Sequence, residues 1–134
     1  MSEFLLPVRV YYEDTDSGGV VYYANYLKFM ERARTEYLRS FGFEQDQLAE
    51  QENVIFAVHR AEVDYIRPAM FNDLLQVSAV ISKQKKVSLS FAQEVRRENG
   101  EVCSRGLIKI VCVKADSFRP TSIPQSIMRA INEQ

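Results

Sequence analysis

The sequence predicts an α+β fold in which a mostly antiparallel sheet wraps around one long helix. One strand pattern precedes a long helical pattern, and four further strand patterns follow it. Apolar side chains cover roughly half the circumference of that helix, more than a surface helix requires. A helix buried so broadly needs a sheet packed around it. The 134 residues fit a single domain over residues 1–134.

Composition excludes several classes of protein. With 46% hydrophobic and 26% charged residues, the chain is globular rather than disordered. A net charge of −1 provides no general attraction for nucleic acid or an anionic membrane. The first residues lack a secretory pattern, and no apolar run approaches the roughly 18 residues of a membrane-spanning helix. Cys103 and Cys112 share one predicted strand at odd separation and should not pair, which favours a reduced, cytoplasmic setting.

The first two elements are a strand over Phe4–Tyr12 and a helix from about Ala24 to Phe41. Gly42 follows, at the position where a left-handed residue commonly ends a helix. Arg34 interrupts the apolar arc of this helix. Its charge either reaches the surface or pairs with a carboxylate, or it marks a subunit contact.

The second half of the chain carries four strand patterns. Val54–Arg67 is apolar on one parity before His59-Arg60 and on the other parity after it, which predicts a β-bulge. Leu74–Ile81 alternates regularly, and Asn99-Gly100 indicates a hairpin turn. The remaining predicted elements are a short helix over Glu44–Glu52, a basic turn over Lys83–Lys86, strands over Val87–Val95 and Val102–Lys114, and a short helix opened by Pro124.

An acidic loop joins the first strand to the long helix. Glu13, Asp14 and Asp16 precede the pair Gly18-Gly19, and aromatic residues follow at the helix start. A carboxylate beside the free N–H groups of a helix N-terminus can activate a nucleophile next to an oxyanion site. The alternative is that these carboxylates only cap a turn and a helix start. For Asp14 we expect that structural role, with hydrogen bonds that hold the loop.

Several segments together resemble a known family. They are Tyr12–Tyr22 (YEDTDSGGVVY), Asn25-Tyr26, Glu31–Glu36 (ERARTE), Val63–Tyr65 with Pro68-Ala69, and Ile123–Ile127 (IPQSI). The chain is similar to acyl-CoA thioesterases of the hot-dog fold, in the 4-hydroxybenzoyl-CoA thioesterase class and closest to the bacterial Tol-Pal-associated (YbgC-type) thioesterases. The resemblance covers nearly the whole chain, and the acidic loop with its double glycine is the specific part.

The resemblance implies an enzyme that hydrolyses acyl-CoA to free acid and coenzyme A. It implies a homodimer, often paired into a homotetramer, with active sites at the dimer interface. Asp16 matches the catalytic carboxylate, and the backbone N–H of Tyr23 matches the group that polarises the thioester carbonyl. Many YbgC-type sequences have a histidine at the position of Tyr23, so the expectation applies to the backbone N–H rather than to the side chain.

Thioester hydrolysis requires few catalytic groups. A thiol has a pKa of about 8.5, so a thiolate leaves readily once a base or nucleophile and an oxyanion donor are in place. No cofactor is expected, since coenzyme A is part of the substrate, and the sequence suggests no metal site. Asp16 could act as a general base on water or attack the carbonyl to form an anhydride, and the sequence does not choose between these routes.

Two further groups are candidates for binding the substrate. Lys83, Lys85 and Lys86 either form a solvated turn or bind the nucleotide phosphates of coenzyme A, and the family places basic residues at this turn. Ser88 could add a hydroxyl. His59, at the predicted bulge, is structural or borders the acyl pocket.

The sequence lacks the residues on which hot-dog dehydratases, hot-dog hydratases and serine hydrolases depend. His59 is the only histidine, and Arg60-Ala61 follows it rather than the Pro-Gly pattern of one group of hot-dog dehydratases. Gly19 occupies the position of the histidine in hydratases of this fold, and no Gly-x-Ser-x-Gly motif is present. The remaining alternative is a non-catalytic subunit that binds acyl-CoA or acyl carrier protein for lipid or envelope machinery. Such a subunit would not require Asp16.

Overall fold

The computed structural model, which describes residues 3–134, contains one five-stranded sheet and three α-helices within that range. In chain order the elements are β1 (Phe4–Arg9), α1 (Asn25–Arg39), α2 (Gln45–Glu52), β2 (Val54–Tyr65), β3 (Leu74–Gln84), β4 (Ser88–Arg97), β5 (Val102–Lys114) and α3 (Gln125–Asn132). A single 3₁₀ turn, Tyr12–Asp14, follows β1. The predicted α+β class is confirmed.

The strands lie in the order β1-β3-β4-β5-β2, and every neighbouring pair is antiparallel. This order places β1 and β2 at the two edges of the sheet. Within residues 3–134, β2 pairs only with β5, and most of its side chains from Val58 to Tyr65 are exposed. A long edge strand of this kind presents a row of unpaired backbone groups to a further strand.

Helix α1 packs against the sheet through a broad apolar face that includes Phe29, Met30 and Leu38, all buried. The closest approach is at Gly106 of β5, where an added Cβ would lie 2.9 Å from the Met30 Sδ atom. A larger residue at this position would therefore have to displace the buried end of the Met30 side chain. The prediction of a helix deeply embraced by the sheet is confirmed.

The first strand ends at Arg9, three residues before the predicted end at Tyr12. The N–H of Val10 donates to the Asp73 carbonyl at 2.8 Å, and the chain then turns into the 3₁₀ segment. The loop therefore begins directly after Arg9, three residues earlier than the aromatic residues Tyr11 and Tyr12 suggested.

Helix α1 ends at Arg39 rather than at the predicted Phe41, because the N–H groups of Phe41 and Gly42 bond to carbonyls only three residues back. Gly42 has a φ of +91°, the left-handed conformation expected just past a helix end. None of the helices in the described range is long and apolar enough to cross a membrane.

The predicted bulge in β2 is confirmed, since its register against β5 shifts between Val58 and Arg60. His59 lies at this shift and is exposed. A second register shift, between Ile81 and Lys83, was not predicted. Strand β3 continues beyond this shift to Gln84, so the prediction that Lys83 belongs to the turn was wrong.

The two cysteines are both buried and both free. Burial raises the pKa of the Cys112 thiol to about 11. Desolvation likewise raises the pKa of the Cys103 thiol, although Arg97 beside it opposes that shift. Both side chains therefore stay protonated and pack as small apolar groups.

Candidate active site

Asp14 holds the loop between β1 and α1. Its Oδ2 accepts the N–H of Tyr11 at 2.8 Å. Its carbonyl oxygen accepts the N–H of Tyr22 and the side-chain Nδ2 of the buried Asn25, each at 2.9 Å. Asp14 therefore ties the start of the loop to the start of the helix, and its predicted structural role is confirmed.

Asp16 occupies a tight turn at the tip of the same loop. Its Oδ1 accepts the N–H of Gly18 at 2.8 Å, and its carbonyl accepts the N–H of Gly19 at 3.0 Å. Gly19 has a left-handed φ of +77°, and a Cβ on Gly18 would lie 3.2 Å from Asp16 Oδ1. The Asp16 side chain is exposed, and its Oδ2 has no hydrogen-bond donor among residues 3–134. One Asp16 carboxylate oxygen is thus hydrogen-bonded within the turn, and the other has no hydrogen-bond partner among the described residues.

The second half of the loop is fixed to the segment before β3. The N–H of Val21 donates to the Ala69 carbonyl at 2.8 Å, and the N–H of Ala69 donates to the phenol oxygen of Tyr26 at 3.0 Å. Val20 forms an isolated β-bridge with Met70. Because burial raises the pKa of Tyr26, its phenol stays neutral as a hydrogen-bond acceptor. The loop, this segment and the first turn of α1 therefore form one unit.

The first turn of α1 faces the loop with an available N–H group. Asn25 N–H donates to the Tyr22 carbonyl at 2.8 Å, and Tyr26 N–H to the Tyr23 carbonyl at 3.4 Å. The N–H of Tyr23 finds no acceptor in the described part of the chain, and the helix N-terminus adds partial positive charge there. The Tyr23 phenol and, more weakly, the Asp16 carboxylate raise the pKa of Tyr22, so the Asp16 charge lies within electrostatic reach of this turn.

An aromatic cavity of about 240 Å³ lies beside the helix start. The Tyr65 ring lies 5.9 Å from the Tyr23 ring and 5.6 Å from the Tyr26 ring, centroid to centroid. Ile66 and Pro68 add apolar surface to this wall, and Arg67, which pairs with Glu101, adds a charged side chain. Apolar walls beside a polarising N–H suit the acyl or pantetheine part of a thioester.

The lysines predicted to bind coenzyme A lie at the opposite end of the sheet. Lys85 and Lys86 are exposed between β3 and β4, and Lys83 is exposed near the end of β3. The start of β3 pairs with the end of β1, next to the acidic loop. The ten residue steps from Leu74 to Gln84 span about 33 Å at 3.3 Å each. A single chain does not bring these lysines to Asp16.

The other two predicted binding residues also lie away from the loop. Ser88 is only 4% exposed at the start of β4, so its position gives no support to the expected contact between its hydroxyl and a phosphate. Its carbonyl instead accepts the N–H of Lys85 at 2.8 Å and closes the turn. His59 is exposed on the edge strand.

No three His, Cys, Asp or Glu side chains lie close enough together to hold a metal ion anywhere in residues 3–134. The acidic loop has three carboxylates, but Asp14 is directed to the N–H of Tyr11 and Asp16 to the N–H of Gly18. The Asp14 and Asp16 carboxylates therefore accept different backbone N–H groups and do not converge on one point.

Comparison with protein families shows which family the chain belongs to. A family model described as the thioesterase superfamily matches residues 18–104, from the glycine pair of the loop into β5. The chain belongs to the thioesterase superfamily. The family predicted from the acidic loop is confirmed.

Relatives within the thioesterase superfamily match over nearly the whole chain. The acyl-CoA thioesterase YbgC of Haemophilus influenzae is 43% identical over 129 residues, which cover 96% of this chain and 94% of the relative. The acyl-CoA thioester hydrolase YbgC of Escherichia coli O157:H7 is 42% identical over 125 residues, which cover 93% of this chain and 92% of the relative.

Solved thioesterase structures share the fold. A probable thioesterase from Bartonella henselae superposes with a TM-score of 0.87 at 32% identity, covering 92% of this chain and 100% of that one. The DHNA-CoA thioesterase of Staphylococcus aureus gives a TM-score of 0.91 at 24% identity over 99% of this chain and 91% of its own. The predicted hot-dog fold is confirmed.

Sequence reasoning did not assign roles to three groups that shape this thioesterase site. Asn25 was a polar residue on an otherwise apolar helix face, a signal that could have marked it as a loop anchor. The Tyr26 phenol and Ala69 N–H lie 43 residues apart, and no local pattern predicts their contact.

Proposed function

We propose that this member of the thioesterase superfamily hydrolyses acyl-CoA thioesters, with Asp16 as the base or nucleophile and the Tyr23 N–H as the oxyanion donor. The observation that carries this proposal is the Asp16 carboxylate, which has one hydrogen-bonded and one unbonded oxygen in a turn with two glycines. The start of helix α1, with the available Tyr23 N–H, follows this turn. The names of the 42–43% identical relatives support acyl-CoA as the substrate class.

The proposed chemistry uses the two groups on opposite sides of the carbonyl. In the base route, Asp16 takes a proton from water as the water oxygen bonds to the carbonyl carbon. The carbonyl oxygen becomes an oxyanion that accepts the Tyr23 N–H. Collapse breaks the C–S bond, and coenzyme A leaves as a thiolate, which takes up a proton. In the nucleophile route, an Asp16 oxygen bonds to the carbonyl carbon, the C–S bond breaks, and coenzyme A leaves as a thiolate that takes up a proton. Water then hydrolyses the resulting anhydride, which releases the free acid and restores the Asp16 carboxylate.

The complete site requires a second copy of the chain in this proposal. The exposed edge of β2 can pair antiparallel with the same edge of another copy around a two-fold axis. That axis reverses the strand directions of the second copy, so its β3–β4 turn lies at the same end as the first copy's acidic loop. Each Asp16 then faces Lys85 and Lys86 of the other subunit, which can bind the phosphates of coenzyme A as point charges. Lys83 adds charge beside them, and His59 lies on the paired β2 edge.

Thiol release from acyl-CoA tests the proposal. Short, long and aromatic acyl-CoAs are compared with wild type, Asp16→Asn and the matched control Glu13→Gln. Asparagine can still accept the Gly18 N–H, so the turn survives while base and nucleophile are lost. We expect Asp16→Asn to lose at least about 100-fold in kcat, about 2.7 kcal/mol. Glu13→Gln removes an exposed carboxylate from the same loop and should stay near wild type.

Two results oppose the proposal. Equal turnover by wild type and Asp16→Asn would remove Asp16 from the chemistry. If wild type binds acyl-CoA, or an acyl carrier protein, but releases no thiol from any ester, the chain is a non-catalytic binding subunit instead.

A further inference from the structure

Arg34 is a buried cation in the middle of helix α1. It is only 8% exposed, and it lies on the helix face that packs against the sheet. The sequence suggested that its charge reaches the surface or pairs with a carboxylate. Neither occurs in the described chain, where no Asp or Glu oxygen lies within ion-pair distance of Arg34.

A neutral amide is the only hydrogen-bond partner of Arg34 within residues 3–134. Its Nη1 donates to Gln93 Oε1 at 2.9 Å. The Gln93 amide donates in turn to the carbonyls of Met30 at 3.0 Å and Ser78 at 3.1 Å, where the ladder between β3 and β4 is interrupted. This network fixes the guanidinium in place without neutralising it. A buried charge with no counter-ion is strongly disfavoured, so an anionic partner is expected.

The guanidinium borders a cavity of about 210 Å³ between α1, the start of α2 and the sheet. Thr35 and Gln45 add polar groups, and Phe56, Val58 and Ile110 form the apolar wall. Val58 is 56% exposed on β2, so the cavity opens at the free sheet edge. The Nε and Nη2 groups of Arg34 have no acceptor in the described residues and retain contact with solvent, so a ligand in the cavity can supply an acceptor.

Glu31 also borders the cavity but does not neutralise Arg34. Its Oε2 accepts the Thr35 hydroxyl at 2.9 Å, and its side chain is exposed to solvent. Its charge acts on Arg34 only at longer range, where it opposes the larger effect of burial, which lowers the Arg34 pKa. Water therefore screens the Glu31 charge more strongly than the Arg34 charge, which is 8% exposed.

The position of the cavity connects it to the active site of a second copy. Within one chain, Val58 and Tyr65 are seven residues apart on β2, about 23 Å, too far for one short acyl group. Antiparallel pairing of two β2 edges about an axis at the centre of the exposed stretch, between Ala61 and Glu62, sets Val58 of one copy opposite Tyr65 of the other. The cavity of one subunit then lies beside the aromatic wall and Tyr23 N–H of the other. The volume equals that of roughly seven water molecules at about 30 Å³ each, which fits a short acyl group and excludes a long alkyl chain.

We propose that this cavity holds the distal end of the acyl group and that Arg34 selects short acyl groups ending in a carboxylate, such as succinyl. This inference rests on the proposed function, because it uses the same thioester and the same two-subunit site. A carboxylate can accept two N–H groups of one guanidinium, which makes Arg better suited than Lys to this role.

Succinyl-CoA and butyryl-CoA form the matched substrate pair, since they share chain length and differ in the terminal charge. We expect wild type to have the higher kcat/KM for succinyl-CoA. Arg34→Gln should lower kcat/KM for succinyl-CoA by about 10- to 150-fold, the range for a lost hydrogen bond to a charged group, and change butyryl-CoA far less. Arg34→Lys should restore part of the preference. Arg32→Gln, on the exposed side of the same helix, is the charge control.

The wild-type comparison alone can overturn the inference, even if the Arg34 variants fail to fold. If wild type hydrolyses butyryl-CoA as well as or better than succinyl-CoA, Arg34 does not select a carboxylate, and the proposed thioesterase function stands. Loss of both substrates in parallel in Arg34→Gln would assign Arg34 a purely structural role. Absence of thiol release from every acyl-CoA would remove the proposed function and this inference together.

Discussion

Asp14 and Asp16 lie two residues apart in one loop but have different surroundings. Asp14 accepts the Tyr11 N–H, and its carbonyl accepts two further groups, so it builds the loop. Asp16 accepts one N–H and keeps an open oxygen. The resemblance to hot-dog thioesterases predicted this division, because it matched Asp16 and not Asp14 to the catalytic carboxylate. The sequence could not predict that Ser88 is buried, because that depends on the register of two strands.

The two loop glycines should respond differently to alanine. In Gly18→Ala the new Cβ lies 3.2 Å from Asp16 Oδ1 and pushes on the carboxylate, so we expect kcat to fall with little loss of stability. In Gly19→Ala the Cβ meets nothing within 4 Å, but the left-handed φ of +77° should cost roughly 1–2 kcal/mol of unfolding free energy. Urea unfolding and thiol release on both variants check this. Equal kcat in the two variants would show that the position of Asp16 is not sensitive to Gly18.

At the scale of elements, apolar periodicity predicted the helix, the strands and the bulge in β2. That bulge was readable because apolar residues change parity on either side of His59. The shift in β3 was not, since the residues after Ile81 are polar on both faces and give no parity signal. Helix α1 was predicted two residues too long at its C-terminus, because Ser40 and Phe41 continue its composition while the hydrogen bonds of Phe41 and Gly42 tighten into a turn.

A charged cluster joins β4, β5 and the chain start on the outer side of the sheet. Glu94 accepts N–H groups from Arg96 and Arg105, each at 2.8 Å, and Arg96 also binds Glu3. Desolvation raises the pKa of Glu94, but the two arginines together outweigh it and hold the pKa below the ordinary 4.5. The hydrogen bond from Arg96 likewise lowers the pKa of Glu3.

These lowered pKa values predict a loss of stability in acid. Above the ordinary value of 4.5, both carboxylates are charged in the folded and unfolded chain, and the cluster stabilises the fold. As pH falls through the lower folded values, this stabilisation is lost. Glu94→Gln should therefore be less stable than wild type at neutral pH, and the difference should shrink at a pH well below 4.5. Urea unfolding at both pH values measures this, and a constant difference would contradict it.

At the scale of the whole molecule, the sheet order decides where the candidate site can be. The sequence predicted that Asp16 and the lysines serve one substrate, yet in the single chain they lie near opposite ends of β3, a strand about 33 Å long. Strand patterns do not reveal strand order, so this separation was not predictable. In our proposal, a second copy paired at the exposed β2 edge brings the two groups together.

The site shared between two subunits is the central claim, and mixed dimers test it most directly. Subunits with Asp16→Asn are coexpressed with subunits carrying Lys85→Glu and Lys86→Glu, and dimers with one of each are purified by two different tags. In such a dimer one site has an intact Asp16 and intact lysines, while the other carries both defects. We predict about half the wild-type activity, well above either parent, because one of the two symmetric sites is complete. Activity no higher than the mean of the two parents would show that each chain works alone.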